Sequence, residues 1–487
     1  MSNAKDNPRT DRPNLEQKRK LAKELRRAVK NLDSSNAARF TWNHPRFRGK
    51  SGRDVVREGV SLSDAQHVIA RESGFESWPK LKKYIDLLDA EPDGPVAVFE
   101  DAVRAIIRGD AGQLQALLRS HPSLATQRSH RRHQCVLPHY IAANGVEDEH
   151  QIIPPNAPEI ARILFDAGAD QVVDATAGMY GGGSGSTPLI SLVSSVHPNE
   201  AGVQEELVRV FCDAGASVNG LDNDCMPLST ALGFRYPEAA KVLADCGARI
   251  DNLPTAAALG RVDLVEAFLD VSGGLESQEC HFPNPNHRPF PKSTAPHPAQ
   301  TLQQAVVFAC MCGHASLAKR LLDLGVDVNG GPRCGITALH EACYSGQAEA
   351  SHLLLEHGAD PTLRDDMWRS TAIGWANAGG RRSLVRWLLD TCDVDIRDAV
   401  ELWQPAIVRR ILKSAPPSLR SRAGLGDVLR LASMRGDVEM VELLLEFGAD
   451  PAQQCEDGHT AIVYAEKFGN QQVLDLLNKA KDARKGE

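Results

Sequence analysis

Long apolar runs are missing from this 487-residue chain. Its longest, such as Val306-Val-Phe-Ala-Cys-Met-Cys312, fall far below the ~18 residues that a membrane-crossing helix needs. No membrane partner is therefore expected. The opening Met1-Ser-Asn-Ala-Lys-Asp has no apolar core of the kind a secretory signal carries. Eleven cysteines are scattered singly instead of clustering, which argues against a small disulfide framework and for a reduced, cytoplasmic protein. Catalytic signatures are missing too. The chain shows no Ser-His-Asp order, nucleophile elbow or HExxH pair. The glycine stretch Met179-Tyr-Gly-Gly-Gly-Ser-Gly-Ser-Thr-Pro-Leu189 lacks the Gly-Lys-Ser/Thr ending of a phosphate loop.

The net charge of −8 conceals an asymmetry. Residues 1–57 hold 16 Lys/Arg against 6 Asp/Glu, so the rest of the chain carries a net −18. A basic head of this kind either meets an anionic partner or docks on its own acidic body; the second reading is preferred. Leu21, Leu25, Ala28, Val29 and Leu32 fall on one face of a basic helix over 15–32. Residues 41–60 read as loop. A second helix is expected from Ser63 to Gly74, and a third from Ser77-Trp-Pro79 through Leu88. Two adjacent helices behind a basic stretch raise the possibility of a DNA-binding helix-turn-helix. The would-be recognition helix, however, begins Trp78-Pro79 and shows Leu81, Tyr84, Ile85 and Leu88 as packing residues. A helical cap is the expectation, and nucleic acid is not an expected partner.

What dominates the chain beyond residue 96 is a recurring helix-pair phrase. Its clearest copy is Thr337-Ala-Leu-His-Glu-Ala-Cys-Tyr-Ser-Gly346, followed by Glu349-Ala-Ser-His-Leu-Leu-Leu-Glu-His-Gly-Ala-Asp-Pro361. This resembles the ankyrin repeat, with its T-P-L-H-x-A-A-x-x-G phrase, a second helix ending in L-L-L, and a G-A-D turn. The resemblance implies an all-α ankyrin-repeat solenoid of about eleven helix pairs behind the N-terminal helical cap. One helix pair cannot bury its apolar stripe alone, so neighbours must stack to share a core. The segment Leu62–Lys82 is also similar to a module preceding repeats in bacterial ankyrin proteins, which implies a bacterial source. The expected organisation is a basic helical module (1–95), irregular repeats with insertions (96–276), a Pro/His-rich insertion (277–300), more regular repeats (301–478) and a polar tail (479–487).

Candidate chemistry lies where the phrase is interrupted. Insertions fall at 146–156, 179–186, 194–202 and 277–300, all in the N-terminal half or at its boundary. They supply the candidate partner- or ligand-binding residues Glu147, His150, Tyr180, Gly181, Gly182, His197 and His281. For Glu147-Asp-Glu-His150 the ordinary reading is solvated loop charge. His139 and His340 occupy the T-P-L-H histidine position, which in ankyrin folds is structural. Cys310 and Cys312 point roughly opposite ways on a helix. Cys280, His281 and His287 lack an evident fourth zinc ligand, so no metal and no cofactor are expected. The preferred function is a scaffold that binds a protein or peptide through its concave face and inserted loops. The alternatives are an enzyme or small-molecule pocket enclosed by those insertions, and DNA binding by the basic module.

Overall fold

The computed structural model describes residues 12–31, 33–178, 185–270, 298–332, 334–414, 422–455 and 458–485. Among them lie 28 α-helices and no strand; only three isolated bridges occur, at Arg128–Val136, Ala177–Ser186 and Gln454–Thr460. Each bridge closes a finger between successive repeats. The chain forms two compact units that divide between Asp251 and Asn252.

The first unit opens with five helices, Leu15–Lys30, Ser34–Asn43, Gly52–Glu58, Leu62–Glu72 and Trp78–Ala90. Two of these differ from the sequence expectation. Gly52–Glu58 lies inside the stretch 41–60 read as loop, and Ser34–Asn43, which no expectation covered, enters it at its end; each is started by a side-chain cap, Asp33 on the Asn36 amide and Ser51 on the Asp54 amide. The next helix is capped by Ser61, not Ser63, through a reciprocal box with Asp64. The first helix also turns differently. It buries Lys18, Ala22, Leu25 and Val29 and leaves Leu21 exposed. Ala22, Leu25 and Val29 form a core with Phe40, Phe47, Val55 and Val68. Leu81, Tyr84, Ile85 and Leu88 of the fifth helix pack with Val96 and Ala97 of the first repeat helix, Pro95–Arg108. The module thereby covers the apolar end of the stack, which would otherwise face water.

Four helix pairs follow in this unit: Pro95–Arg108 with Ala111–Ser120, Leu137–Ala142 with Ala157–Asp166, Pro188–Val193 with Gln204–Asp213, and Met226–Gly233 with Pro237–Asp245. The second unit holds seven pairs, from Leu253–Ala258 with Val262–Asp270 to Ala461–Lys467 with Gln471–Lys485. The pair turns share one construction. In the Thr337 repeat, Gly346 adopts the left-handed conformation (φ 80°), its N–H reaches Cys343 O, and Gln347 N–H reaches Ala342 O at 2.9 Å. This satisfies carbonyls that a helix end leaves open. The T-P-L-H histidines are structural. His340 Nδ1 accepts the Thr337 amide, so its Nε2 carries the proton and donates to Leu363 O and Ser370 O. His139 Nε2 likewise donates to Ser186 O at 3.0 Å, and burial lowers its pKa to about 4, leaving it neutral. Each imidazole thus ties an inner helix to the following finger.

Candidate partner-binding site

The insertion at 146–156 begins on a short 3-10 turn, Asp148–His150. Glu147 and His150, read from sequence as solvated loop charge, are buried instead. Glu147 is 0% exposed and sits within a network drawn from four separate chain segments. His133 Nδ1 accepts the Cys135 amide at 3.0 Å, which fixes its proton on Nε2; that N–H donates to Glu147 Oε1 at 2.6 Å. His150 Nδ1–H donates to Glu147 Oε2 at 2.9 Å. Arg131 Nε lies 3.1 Å from Oε1, an ion-pair contact. The Arg131 fork also donates twice to Glu100, at 2.9 and 3.0 Å, the bidentate geometry that makes such pairs strong. Tyr84 O–H donates to the same Glu100 at 2.6 Å, and Arg131 lies 5.5 Å from the Tyr84 ring centre.

Burial alone would raise the Glu147 pKa, but Arg131 and the two imidazole donors outweigh it and hold the carboxyl well below its usual range. A carboxylate so enclosed is a poor base, and it offers no face to a substrate. Its role is to anchor. Gly74, which ends the fourth helix at φ 83°, passes so close that an added Cβ would stand 2.7 Å from Glu147 Oε1 and 2.9 Å from Arg131 Cδ. Its carbonyl accepts the Arg132 amide at 2.9 Å. Lys18, buried on the first helix, reaches Glu149 at 2.9 Å. The N-terminal module therefore holds the insertion from beneath, and the local positive charge of the head is partly spent inside the molecule.

Above this anchor the second and third repeats meet. The insertion at 194–202 carries a short helix, Val196–Glu200. His197 Nε2–H donates to Gln151 Oε1 at 3.3 Å, Asn144 Nδ2–H to Ser194 Oγ at 2.8 Å, and Ser195 O–H to Ala143 O at 3.3 Å. Gln204 closes the turn from below with bonds to Leu192 O and Ser195 O. The residues next in sequence to the bonded pair are apolar and exposed, Ile152 at 51% and Val196 at 44%. Of the sequence candidates, then, Glu147 and His150 come together in the buried anchor, and His197 lies at the surface above it. Tyr180, Gly181, Gly182 and His281 lie outside the described residues. Sequence reasoning missed Gly74, Arg131, Gln151, Ile152 and Val196. The apolar pair carried a signal, since each is a large apolar residue on an inserted polar loop. No group of His, Cys, Asp or Glu among the described residues is arranged to hold a metal, and no described helix is long and apolar enough to cross a membrane.

The family described as ankyrin repeats (3 copies) matches residues 253–365, 306–399 and 398–486. The human mitochondrial disaggregase is 26% identical over 55% of this chain, and the match spans only 36% of that protein's length. Among solved structures, the human ASB11 ankyrin repeat domain is 24% identical over 46% of this chain and 96% of its own, with a TM-score of 0.29. A chain from the structure of a Bdellovibrio bacteriovorus predatory endopeptidase in complex with an immunity protein is 22% identical over 36% of this chain and 96% of its own, with a TM-score of 0.28.

Proposed function

We propose, from the premise that this chain is an ankyrin repeat protein, that it binds a protein or peptide partner through its concave face and the paired insertions of its second and third repeats. The observation that supports the reading is the joining of those insertions. Two loops added to neighbouring repeats bond to each other through His197 and Gln151 and leave Ile152 and Val196 in water. Added loops that only tolerated their length would have no reason to be cross-linked and anchored on a buried ion network. Pre-organised apolar side chains beside polar groups are what a partner surface uses, because little freedom is lost when the partner arrives.

Glu147 and His150 act in this reading by holding the loop, and His197, Gln151, Ile152 and Val196 by touching the partner. Tyr180, Gly181, Gly182 and His281 belong to the same proposal as further contacts. The ten cysteines among the described residues are all free thiols, as a reducing compartment would keep them, which supports a cytoplasmic location. The test is affinity capture from the native host with the full chain, quantified by mass spectrometry. A partner retained by the wild type should be lost from an Ile152→Asp/Val196→Asp variant that keeps its helical spectrum. Tyr180→Ala with His197→Ala should weaken the captured partner by roughly 1–3 kcal/mol. An unchanged capture profile in both variants contradicts the assignment.

A further inference from the structure

The turn between the two helices of a repeat is where the second unit breaks its own rule. Gly109, Gly260, Gly313, Gly346, Gly380, Gly436 and Gly469 all sit at the same left-handed position, with φ between 66° and 81°. In each turn the following residue's amide returns to an alanine carbonyl, as in Arg381 to Ala376 and Asp437 to Ala432. The fifth pair of the second unit, Ile396–Glu401 with Pro405–Ser414, keeps this geometry: Gln404 N–H bonds Ala399 O at 2.8 Å. Yet its left-handed position holds Trp403, at φ 56°, the one non-glycine residue at this position among the described turns of the second unit; in the first unit Arg235, at φ 64°, holds the same position. A side chain there is strained where glycine is not. Strain at an outlier is kept where something other than folding depends on it. The side chain gains little shelter in return, for Trp403 is 50% exposed.

The neighbours depart from the rule as well. Elsewhere a side chain of one turn reaches back to a carbonyl of the turn before it. His314 reaches Ala258 O, Gln347 reaches Met311 O, Arg381 reaches Tyr344 O, and Asn470 reaches Ser433 O. Gln404 instead bonds Leu402 O within its own turn. An added Cβ at Gly260, Gly313, Gly346 or Gly436 would meet the next repeat's side chain within 3.0 Å, whereas at Gly380 nothing stands within 4 Å. The staple missing between Gly380 and Trp403 leaves an open depression lined by Asn377, Glu401, Leu402, Trp403 and Arg435. A second depression lies one turn earlier, with Arg381 and Arg382 on its wall. Arg381, Arg382 and Arg435 are exposed. Arg381 and Arg435 donate to backbone carbonyls, and Arg435 also faces the buried Asp437 carboxylate. The nearby Glu401 carboxylate is taken by Arg397 at 3.1 Å.

We infer that this ridge of turns is a second docking surface, and that it takes an acidic peptide segment bearing a large apolar side chain. The indole supplies the apolar contact, and the three guanidinium groups supply charge and spare donors for carboxylates. A nucleic acid fits less well. A phosphate backbone presents charge continuously along its length, whereas an acidic peptide places a few carboxylates where the arginines are. The ridge lies at the ends of helix pairs of the second unit and shares no residue with the inserted loops of the first, so it does not depend on the partner proposed above.

The test uses the full chain and a phage-displayed random-peptide library, with counter-selection on Trp403→Gly. Glycine is the residue this turn favours, so the variant should fold with an equal or higher melting temperature. Trp403→Asn, which also tolerates the left-handed region, serves as a second variant. Peptides retained by the wild type should carry Asp or Glu around a Trp, Phe or Leu. Their synthetic forms should bind Trp403→Gly, and an Arg381→Glu/Arg435→Glu variant, roughly tenfold or more weakly. The inference is overturned if no peptide distinguishes the wild type from the two Trp403 variants, if the retained peptides lack acidic residues, or if oligothymidylate binds the wild type with the same dependence on Trp403.

Discussion

At the scale of single residues, the carboxylates separate into those that hold structure and those that strain it. Glu147 is the first kind. Removing it leaves Arg131, His133 and His150 enclosed without their shared acceptor, and breaking a buried pair by removing one partner is costly. Glu147→Ala should destabilise the first unit by about 3–5 kcal/mol in urea unfolding followed by circular dichroism. A loss under about 1 kcal/mol would mean that the carboxylate is solvated after all. Asp398 is the second kind. It is buried beside Thr371, whose hydroxyl donates to it at 2.5 Å, and burial raises its pKa to about 6. The folded protein therefore holds this proton more tightly than the unfolded chain does. Stability from this group is full below the ordinary aspartate range and declines as pH rises to about 6. Asp398→Asn should accordingly stabilise the protein by about 1–3 kcal/mol at pH 7.5 and by almost nothing at pH 4. Melting curves at the two pH values decide it. The sequence shows neither role, because both depend on what lies across the fold: Glu147 reads as loop charge, and no local pattern marks Asp398 as buried.

At the scale of elements, the repeat phrase was legible and the N-terminal module only in part. The phrase Thr337–Gly346 carries its own cap, inner-helix histidine and left-handed glycine, so its helix and turn can be read locally and the structure follows them. Ser34–Asn43 and Gly52–Glu58 escaped notice because they are short and lie among prolines, glycines and arginines. Their helical state rests on caps and on burying Phe40 and Val55 in a core that no local pattern displays. Lys18 escaped for a related reason: a lysine on an apolar face reads as an error in the stripe until Glu149, 131 positions away, is seen to receive it. The turn at Gly74 joins module to repeats. Gly74→Ala combines a left-handed φ with a Cβ against Glu147 and Arg131, and should destabilise by about 2 kcal/mol or more. Thermal unfolding of the full chain checks this, and an unchanged melting temperature would show that the helix turn does not bear on the network. As a reference inside a regular repeat, Leu354→Ala, at a fully buried position, should cost about 2–5 kcal/mol through its cavity.

At the scale of the whole molecule, the departures from the repeat are where partner binding is proposed. The second unit is built of stacked pairs, and the family match covers them. In the first unit two insertions are bonded together and anchored on a network that the N-terminal module completes. That link ties the module to the loops for which partner binding is proposed. Deleting residues 1–90 should therefore lower the melting temperature and also free the insertion at 146–156. The most direct test of the central claim is amide hydrogen exchange on the full chain, with and without the partner captured from the host. The account predicts slower exchange over residues 146–156 and 194–202 when the partner is present, lost in Ile152→Asp/Val196→Asp. Exchange unaltered in both insertions, with protection only elsewhere on the chain, would contradict it.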